Sequence, residues 1–294
     1  MRWKDLRKST NVDDRRGAGG MRGPGRIILP GGRGGRTAGM GGIGLIVILL
    51  IALFLGIDPS MILSPGGVTA PEQRAPDTTE QAELKEFVAA VLGDTEDTWN
   101  ALFQADGYDY REPRLVLFSG AVDSACGFAD AAVGPFYCPP DQQVYLDMTF
   151  FTDMERRLGA SGDFAAAYVI AHEVGHHVQN LLGIMDRVNQ IRGGLGRDKA
   201  NALSVMVELQ ADCFAGIWAS RAQRQRNILE PGDIEEGLNA AAAVGDDRLQ
   251  RRSQGYVVPE SFTHGSSEQR VAWFTRGFET GNPDACDTFN ADRL

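Results

Sequence analysis

Histidine and cysteine are both scarce in this chain, with four of each among 294 residues. No Cys-x-x-Cys pair occurs, so a cysteine-held zinc site has no support. An even cysteine count in an exported domain instead favours two disulfides. Proximity in sequence suggests Cys126–Cys138 with Cys213–Cys286, although four cysteines allow three pairings. The histidines are also unevenly spread, because His172, His176 and His177 fall within a turn and a half of one another.

Charge is missing from one place altogether. Residues 41–57 carry none, and Met40–Ile57 is uncharged over about the length a helix needs to cross a bilayer. The run has no polar face to meet water, and no small-x-small cleavage pattern follows Phe54, which disfavours a removed signal peptide. A retained transmembrane anchor over 40–57 is the reading that remains. Residues 1–40 hold ten Lys or Arg against three Asp, a net of +7, whereas everything from Asp58 onward carries −17. Basic residues ahead of an apolar span predict a cytoplasmic N-terminus and an extracytoplasmic body at the cell membrane. Residues 1–39, rich in Gly and Arg, predict a disordered basic cytoplasmic tail. Contact with anionic lipid heads explains that tail more economically than nucleic-acid binding. Residues 58–77 hold Pro, Gly and Ser without periodicity and read as a linker, which leaves 78–294 as the folded domain.

The clustered histidines carry the chemistry. His172-Glu173-Val174-Gly175-His176 has the His-Glu-x-x-His pattern. Residues four apart stand one turn apart on one helix face, so His172 and His176 can aim ring nitrogens at one ion. Glu173 is rotated about 100° from His172, within reach of a water at that ion. A pattern that fixes three residues recurs by chance, and a His pair is more often an ordinary polar face. Here Ala167, Val169, Ile170, Ala171, Val174 and Val178 surround the motif, so the helix is expected to be buried, and buried ionisable groups need partners. Ser161-Gly162-Asp163 offers N-cap side chains, and Gly183 suits the C-terminal end. The longer pattern with a third downstream His is excluded, because Gln179 stands where Gly is needed and Leu182 where the His is needed.

The third ligand must therefore come from another element. From Ala200 to about Gln223 the pattern is helical and contains Glu208-Leu209-Gln210-Ala211-Asp212-Cys213. No basic residue lies between Asn201 and Ser220, so a solvated ion-paired face is the weaker reading, and Glu208 is the candidate ligand. Asp212, one turn on, is placed to accept a hydrogen bond from the free ring nitrogen of a metal-bound His. His264 precedes a helix capped by Ser266 or Ser267, with Arg270 about a turn in. Both are expected to reach the cleft and stabilise an oxyanion, against the plainer reading of a structural His–Arg pair. His177 stays open between supporting the site and packing. Helices are also expected from Thr78, from near Thr95 and over Ile234–Val244. Strands are expected over Arg114–Phe118 and Gln143–Asp147, the second as the edge on which an extended substrate lies. Ser119–Asp141 and residues 186–198 read as loops.

Several stretches together resemble one known group. They are Met1-Arg2-Trp3, Asn11-Val12-Asp13-Asp14-Arg15-Arg16-Gly17, the apolar anchor, Gly134-Pro135-Phe136-Tyr137-Cys138-Pro139, His172–Asn180, Glu208–Cys213 and Thr263-His264-Gly265. Over almost its whole length the chain resembles the bacterial neutral zinc metallopeptidases, which are single-pass membrane proteins. The metal motifs are also similar to those of gluzincin proteases, in which a Glu on a following helix completes the zinc site. His264 and Arg270 resemble the His-x5-Arg pair of membrane zinc proteases of the CAAX-processing and heat-shock type.

The expectation is an α+β, zincin-like domain, mostly helical with a small sheet, behind one N-terminal transmembrane helix. Zn2+ would be held by His172, His176 and Glu208 with Asp212 behind, and Glu173 would act as general base. His264 with Arg270 would face the oxyanion, and a protein or peptide would be the substrate. Two rival expectations come from other classes. One is a zinc-stabilised scaffold that binds an envelope partner without catalysis; the other is a basic tail that binds nucleic acid, with the outer domain as sensor.

Overall fold

A computed structural model of the chain describes residues 1–16 and 78–291. The expected membrane helix 40–57, the linker 58–77 and residues 17–39 of the expected tail lie outside the described residues. In chain order the first elements are β1 (Val12–Asp14), α1 (Thr78–Ala105), β2 (Arg114–Phe118), β3 (Ala121–Ser124), β4 (Gly127–Asp130), β5 (Phe136–Cys138) and β6 (Gln143–Asp147). The helices that follow are α2 (Thr149–Asp153), α3 (Asp163–Leu181), α4 (Ile184–Arg192), α5 (Arg197–Arg226), α6 (Asp233–Ala243), α7 (Asp246–Gln254) and α8 (Ser267–Thr280). The architecture is mixed α/β, mostly helical, with a small sheet.

Short apolar runs build the sheet. Leu115-Val116-Leu117-Phe118 in β2 is buried residue after residue, the pattern of a strand covered on both faces. Leu115 and Leu117 turn to the helices, whereas Val116 and Phe118 pack with Val122, Ala129, Cys138 and Tyr145 on the other face. β1, β2 and β6 run parallel, and β5 closes the sheet antiparallel in the order β1-β2-β6-β5. β6 is therefore an inner strand, which corrects its expected role as the substrate edge. The edge beside the metal helix is β5. Ser119–Asp141, expected as one loop, folds into the β3–β4 hairpin and β5, and the Cys126–Cys138 disulfide ties hairpin to edge.

α3 lies at the centre. It is buried from Phe164 to Gln179 because its sequence is apolar on nearly every side, and α1, α5 and α6 pack around it. Its first turn is capped from α6, where the Glu236 carboxylate accepts the Phe164 N–H at 3.1 Å. Gly162 is the N-cap residue, and a side chain there would collide with that carboxylate. α5 and α8 cross at glycines: a Cβ on Gly216 would strike the Phe274 carbonyl, and one on Gly277 the Cys213 carbonyl. The Cys213–Cys286 disulfide closes beside this crossing. Among the described residues α5 is the one helix long and apolar enough to cross a membrane, yet 72% of its most apolar window is buried, as in a core helix.

Three expectations about the course of the chain change. Residues 1–16 are not a disordered tail but part of the fold. The Met1 ammonium lies 2.7 Å from Asp163, 3.3 Å from Glu230 and 3.4 Å from Asp233. Trp3 packs edge-on against Phe87, and Glu96 accepts hydrogen bonds from Arg7, Ser9 and Asn11. The Gly-rich composition that predicts disorder begins at Gly17; Met1–Arg16 instead brings apolar side chains and charges that find partners. The helices expected from Thr78 and from Thr95 are one, because Gly93 accommodates the Arg7 carbonyl instead of breaking the helix. Residues 186–198 hold most of α4 where a loop is expected, and α7 has no counterpart among the expected elements.

Two outcomes follow from this packing. Gly277→Ala should lower stability by about 3 kcal/mol, measured by chemical denaturation, since neither backbone at the α5–α8 crossing can step aside cheaply. Burial lowers the pKa of the Met1 ammonium, but Asp163 with Asp233 and Glu230 outweighs it, so the group titrates above its ordinary 8.0. A raised pKa means that this stabilisation is complete below pH 8 and fades as pH climbs through the folded-state value. The melting-temperature advantage of the free over the N-acetylated protein should therefore be full at neutral pH and shrink as pH rises above 8.

Candidate metal centre

His172 and His176, one turn apart on α3, stand edge to face with ring centroids 4.7 Å apart. Glu208 reaches them from α5: its Oε2 is 3.2 Å from His172 Nε2 and its Oε1 is 3.5 Å from His176 Nε2. The three ligand atoms lie within 4.8 Å of one another. Two imidazoles and a carboxylate form the donor set of a catalytic zinc site, which leaves a fourth position for water. A second cluster, Asp163, Asp233 and Glu236, has similar spacing, but the Met1 ammonium already sits against its two aspartates.

The fit to a metal is tested by the far side of each ring. His172 Nδ1 faces Asp212 Oδ1 at 2.9 Å; a carboxylate can only accept, so Nδ1 carries the hydrogen and the Nε2 lone pair points at the centre. Asp212 is fully buried and also accepts from the Tyr168 hydroxyl at 2.5 Å and from Arg270 at 2.8 and 3.0 Å. His176 Nδ1 faces Gln179 Oε1 at 2.9 Å. That amide is oriented in turn, since Gln179 Nε2 donates to the Val207 carbonyl at 2.7 Å and to Gln210 Oε1 at 3.0 Å. Both rings are thus fixed in the tautomer that ligation requires.

Burial lowers the His172 pKa, but Asp212 and Glu208 raise it further, to about 10. The pocket between those carboxylates calls for positive charge, whether a proton or a metal ion. Burial raises the Glu208 pKa, while His176 and His264 pull it well below the ordinary value. Glu173 is buried at 7% exposure; burial raises its pKa, and His176 and His172 oppose the rise. A carboxylate beside the centre that is not one of the converging ligands is suited to take up a proton.

His177 packs. Its Nε2–H donates to the Arg111 carbonyl at 2.6 Å, so Nδ1 accepts from the Tyr137 hydroxyl at 3.0 Å. Burial pushes its pKa down to about 4, which keeps the ring neutral as it ties α3 to strand β5. His264 is half-exposed, and its Nδ1 lies 3.3 Å from Asp246 Oδ1. Asp246 Oδ2 accepts the backbone N–H groups of Thr263, His264 and Gly265 at 2.7, 2.7 and 3.1 Å, so one carboxylate shapes the loop and holds the ring. Arg270 is where the expectation needs correction. It is only 4% exposed, and its guanidinium is committed to Asp212, Tyr168 and the Val244 carbonyl behind His172, not to the cleft. Its geometry suits the orientation of Asp212.

Tyr168, Gln179 and Asp246 were not singled out from the sequence for these contacts. Tyr168 carries a readable signal, since it stands four residues before His172 on the same face. Asp246 carries none, because it meets His264 only through the fold.

The chain matches the family described as "Putative neutral zinc metallopeptidase" over residues 1–289. It is 48% identical over 292 residues to the uncharacterized protein YpfJ of Escherichia coli K12, covering 98% of this chain and 99% of that protein. It is 43% identical over 258 residues to the uncharacterized protein Rv2575 of Mycobacterium tuberculosis, covering 83% and 86%. No solved structure matches it. Gln179→Leu should weaken zinc binding roughly 10- to 100-fold by freeing the His176 ring, measured by competition with a chelator.

Proposed function

The chain belongs to the neutral zinc metallopeptidase family, and from that premise we propose that it hydrolyses peptide bonds at a zinc held by His172, His176 and Glu208. The observation that carries the reading is the convergence of three donor atoms whose rings are already oriented from behind by Asp212 and Gln179. Zinc bound there supplies Lewis acidity, which lowers the pKa of water and polarises a carbonyl. Glu173 takes the proton of the attacking water and passes it to the leaving nitrogen as the C–N bond breaks. His264, steered by Asp246, donates to the oxyanion of the tetrahedral intermediate. Arg270 acts through Asp212 as a positioning residue.

An extended peptide is the fitting substrate class. β5 is the outer strand of the sheet, and its Tyr137 is hydrogen-bonded to Asn180 and His177 of the metal helix, so a chain paired to β5 runs alongside the centre. A zinc-stabilised scaffold is the weaker reading, since it assigns no task to the buried Glu173 carboxylate. Anchoring through 40–57 completes the proposal, and the two disulfides favour an oxidising, extracytoplasmic compartment for the domain.

Glu173→Gln should keep its zinc and lose peptidase turnover by roughly 100- to 10,000-fold. Metal analysis beside a peptide-library digest checks both halves, and equal turnover by the variant would remove the base assignment. His264→Ala should likewise keep the metal and lower kcat by about 100-fold.

A further inference from the structure

A single span over 40–57 places residues 1–16 and 78–291 in different compartments, separated by about 30 Å of hydrocarbon. The fold has them in one sheet. β1 pairs with β2 in the register Val12↔Leu115, Asp13↔Val116 and Asp14↔Leu117. We propose that Met1–Arg16 stays docked on the catalytic domain in the membrane-bound protein, so that both lie on the same side of the bilayer. This rests on the anchoring reading above and revises its topology.

The domain is shaped for this segment. Gly93 sits in the middle of α1, where glycine costs about 1 kcal/mol relative to alanine, and the space it leaves is taken by the Arg7 carbonyl. Glu96, 2% exposed, has its donors in Arg7, Ser9 and Asn11, all from the segment. Backbone hydrogen bonds run along its length, from Arg2 N–H to the Ile228 carbonyl, Ser9 N–H to Ala89 and Arg15 N–H to Leu117, each at 2.8 Å. Arg16 Nη1 lies 3.4 Å from the Gln81 carbonyl, so the described chain leaves off at Arg16 and resumes near Thr78 on one face of the domain.

Ion pairs add to the docking contacts. Three basic side chains of the segment are ion-paired with acids of α1: Lys4 with Glu83, Arg7 with Glu96 and Asp97, and Lys8 with Glu86. Disulfides Cys126–Cys138 and Cys213–Cys286 then draw the segment, with the domain, to the oxidising side. A segment donated by a second copy leaves the conclusion unchanged, since that copy's N-terminus must also be on the domain's side.

The test uses the full chain in native bacterial membranes. Carbodiimide coupling without detergent, read by peptide mass spectrometry, should join Lys8 to Glu86 and Lys4 to Glu83, pairs that stand 2.6 and 3.1 Å apart. Thr10→Cys and Tyr256→Cys, both at exposed positions, should react with an impermeant maleimide from the same side. No native thiol competes, because all four cysteines are in disulfides. Labelling of the two variants from opposite sides, with no Lys8–Glu86 link, overturns the proposal. Carbonate extraction is read separately: release of the protein removes the anchor and with it the membrane-bound arrangement, whereas cleavage of peptides by the released protein would leave the peptidase reading standing.

Discussion

One carboxylate joins the three helices that build the centre. Asp212 on α5 accepts hydrogen bonds from His172 and Tyr168 on α3 and from Arg270 on α8, with no exposure to solvent. In so dry a place an unpaired charge is far costlier than a paired one, and breaking such a pair typically costs about 3–5 kcal/mol. The arrangement therefore has to be complete to be stable. Once complete, it fixes the tautomer of His172, the approach of α8 and, through the loop that leads into α8, the placing of His264. The glycine crossing of α5 and α8 serves the same end, because Arg270 reaches Asp212 only if the two backbones come this close.

The helix that carries the candidate ligands is held at both ends and presents them from its middle. At its start Asp163 meets the Met1 ammonium and Phe164 meets Glu236. Toward its end His177 and Asn180 are bound to Tyr137 of β5. Ligands on a helix so constrained are preorganised, which is what precise metal geometry requires. The tie to β5 also couples the centre to the strand an extended substrate would meet. Residues 1–16 thus bear on a site they do not touch: they brace the helix whose third and fourth turns carry the pair of imidazoles.

How much of this was legible in the chain differs by residue. His172, Glu173 and His176 sit within one turn of a helix, and Glu208 and Asp212 within one turn of another, so spacing alone set their relative directions. Local proximity was enough for Cys126–Cys138, and the remaining pair followed. The composition of the first 39 residues misled, because an average over a Gly-rich stretch hides sixteen residues with well-placed partners. Gly93 and residues 186–198 misled for a related reason: local propensity marks a break, while the neighbouring chain decides whether the helix continues.

Local periodicity, then, determined that two helices would present imidazoles on one and carboxylates on the other, because side-chain direction along a helix is a matter of 3.6 residues per turn. Only the tertiary structure decided which polar groups share a burial site. Asp246 with His264, Arg270 behind the ligands instead of before them, β5 instead of β6 at the edge, and Met1 against Asp163 all pair groups distant along the chain or assign faces by packing. Desolvation, which makes each such group find a partner, acts in space and leaves no period in the sequence.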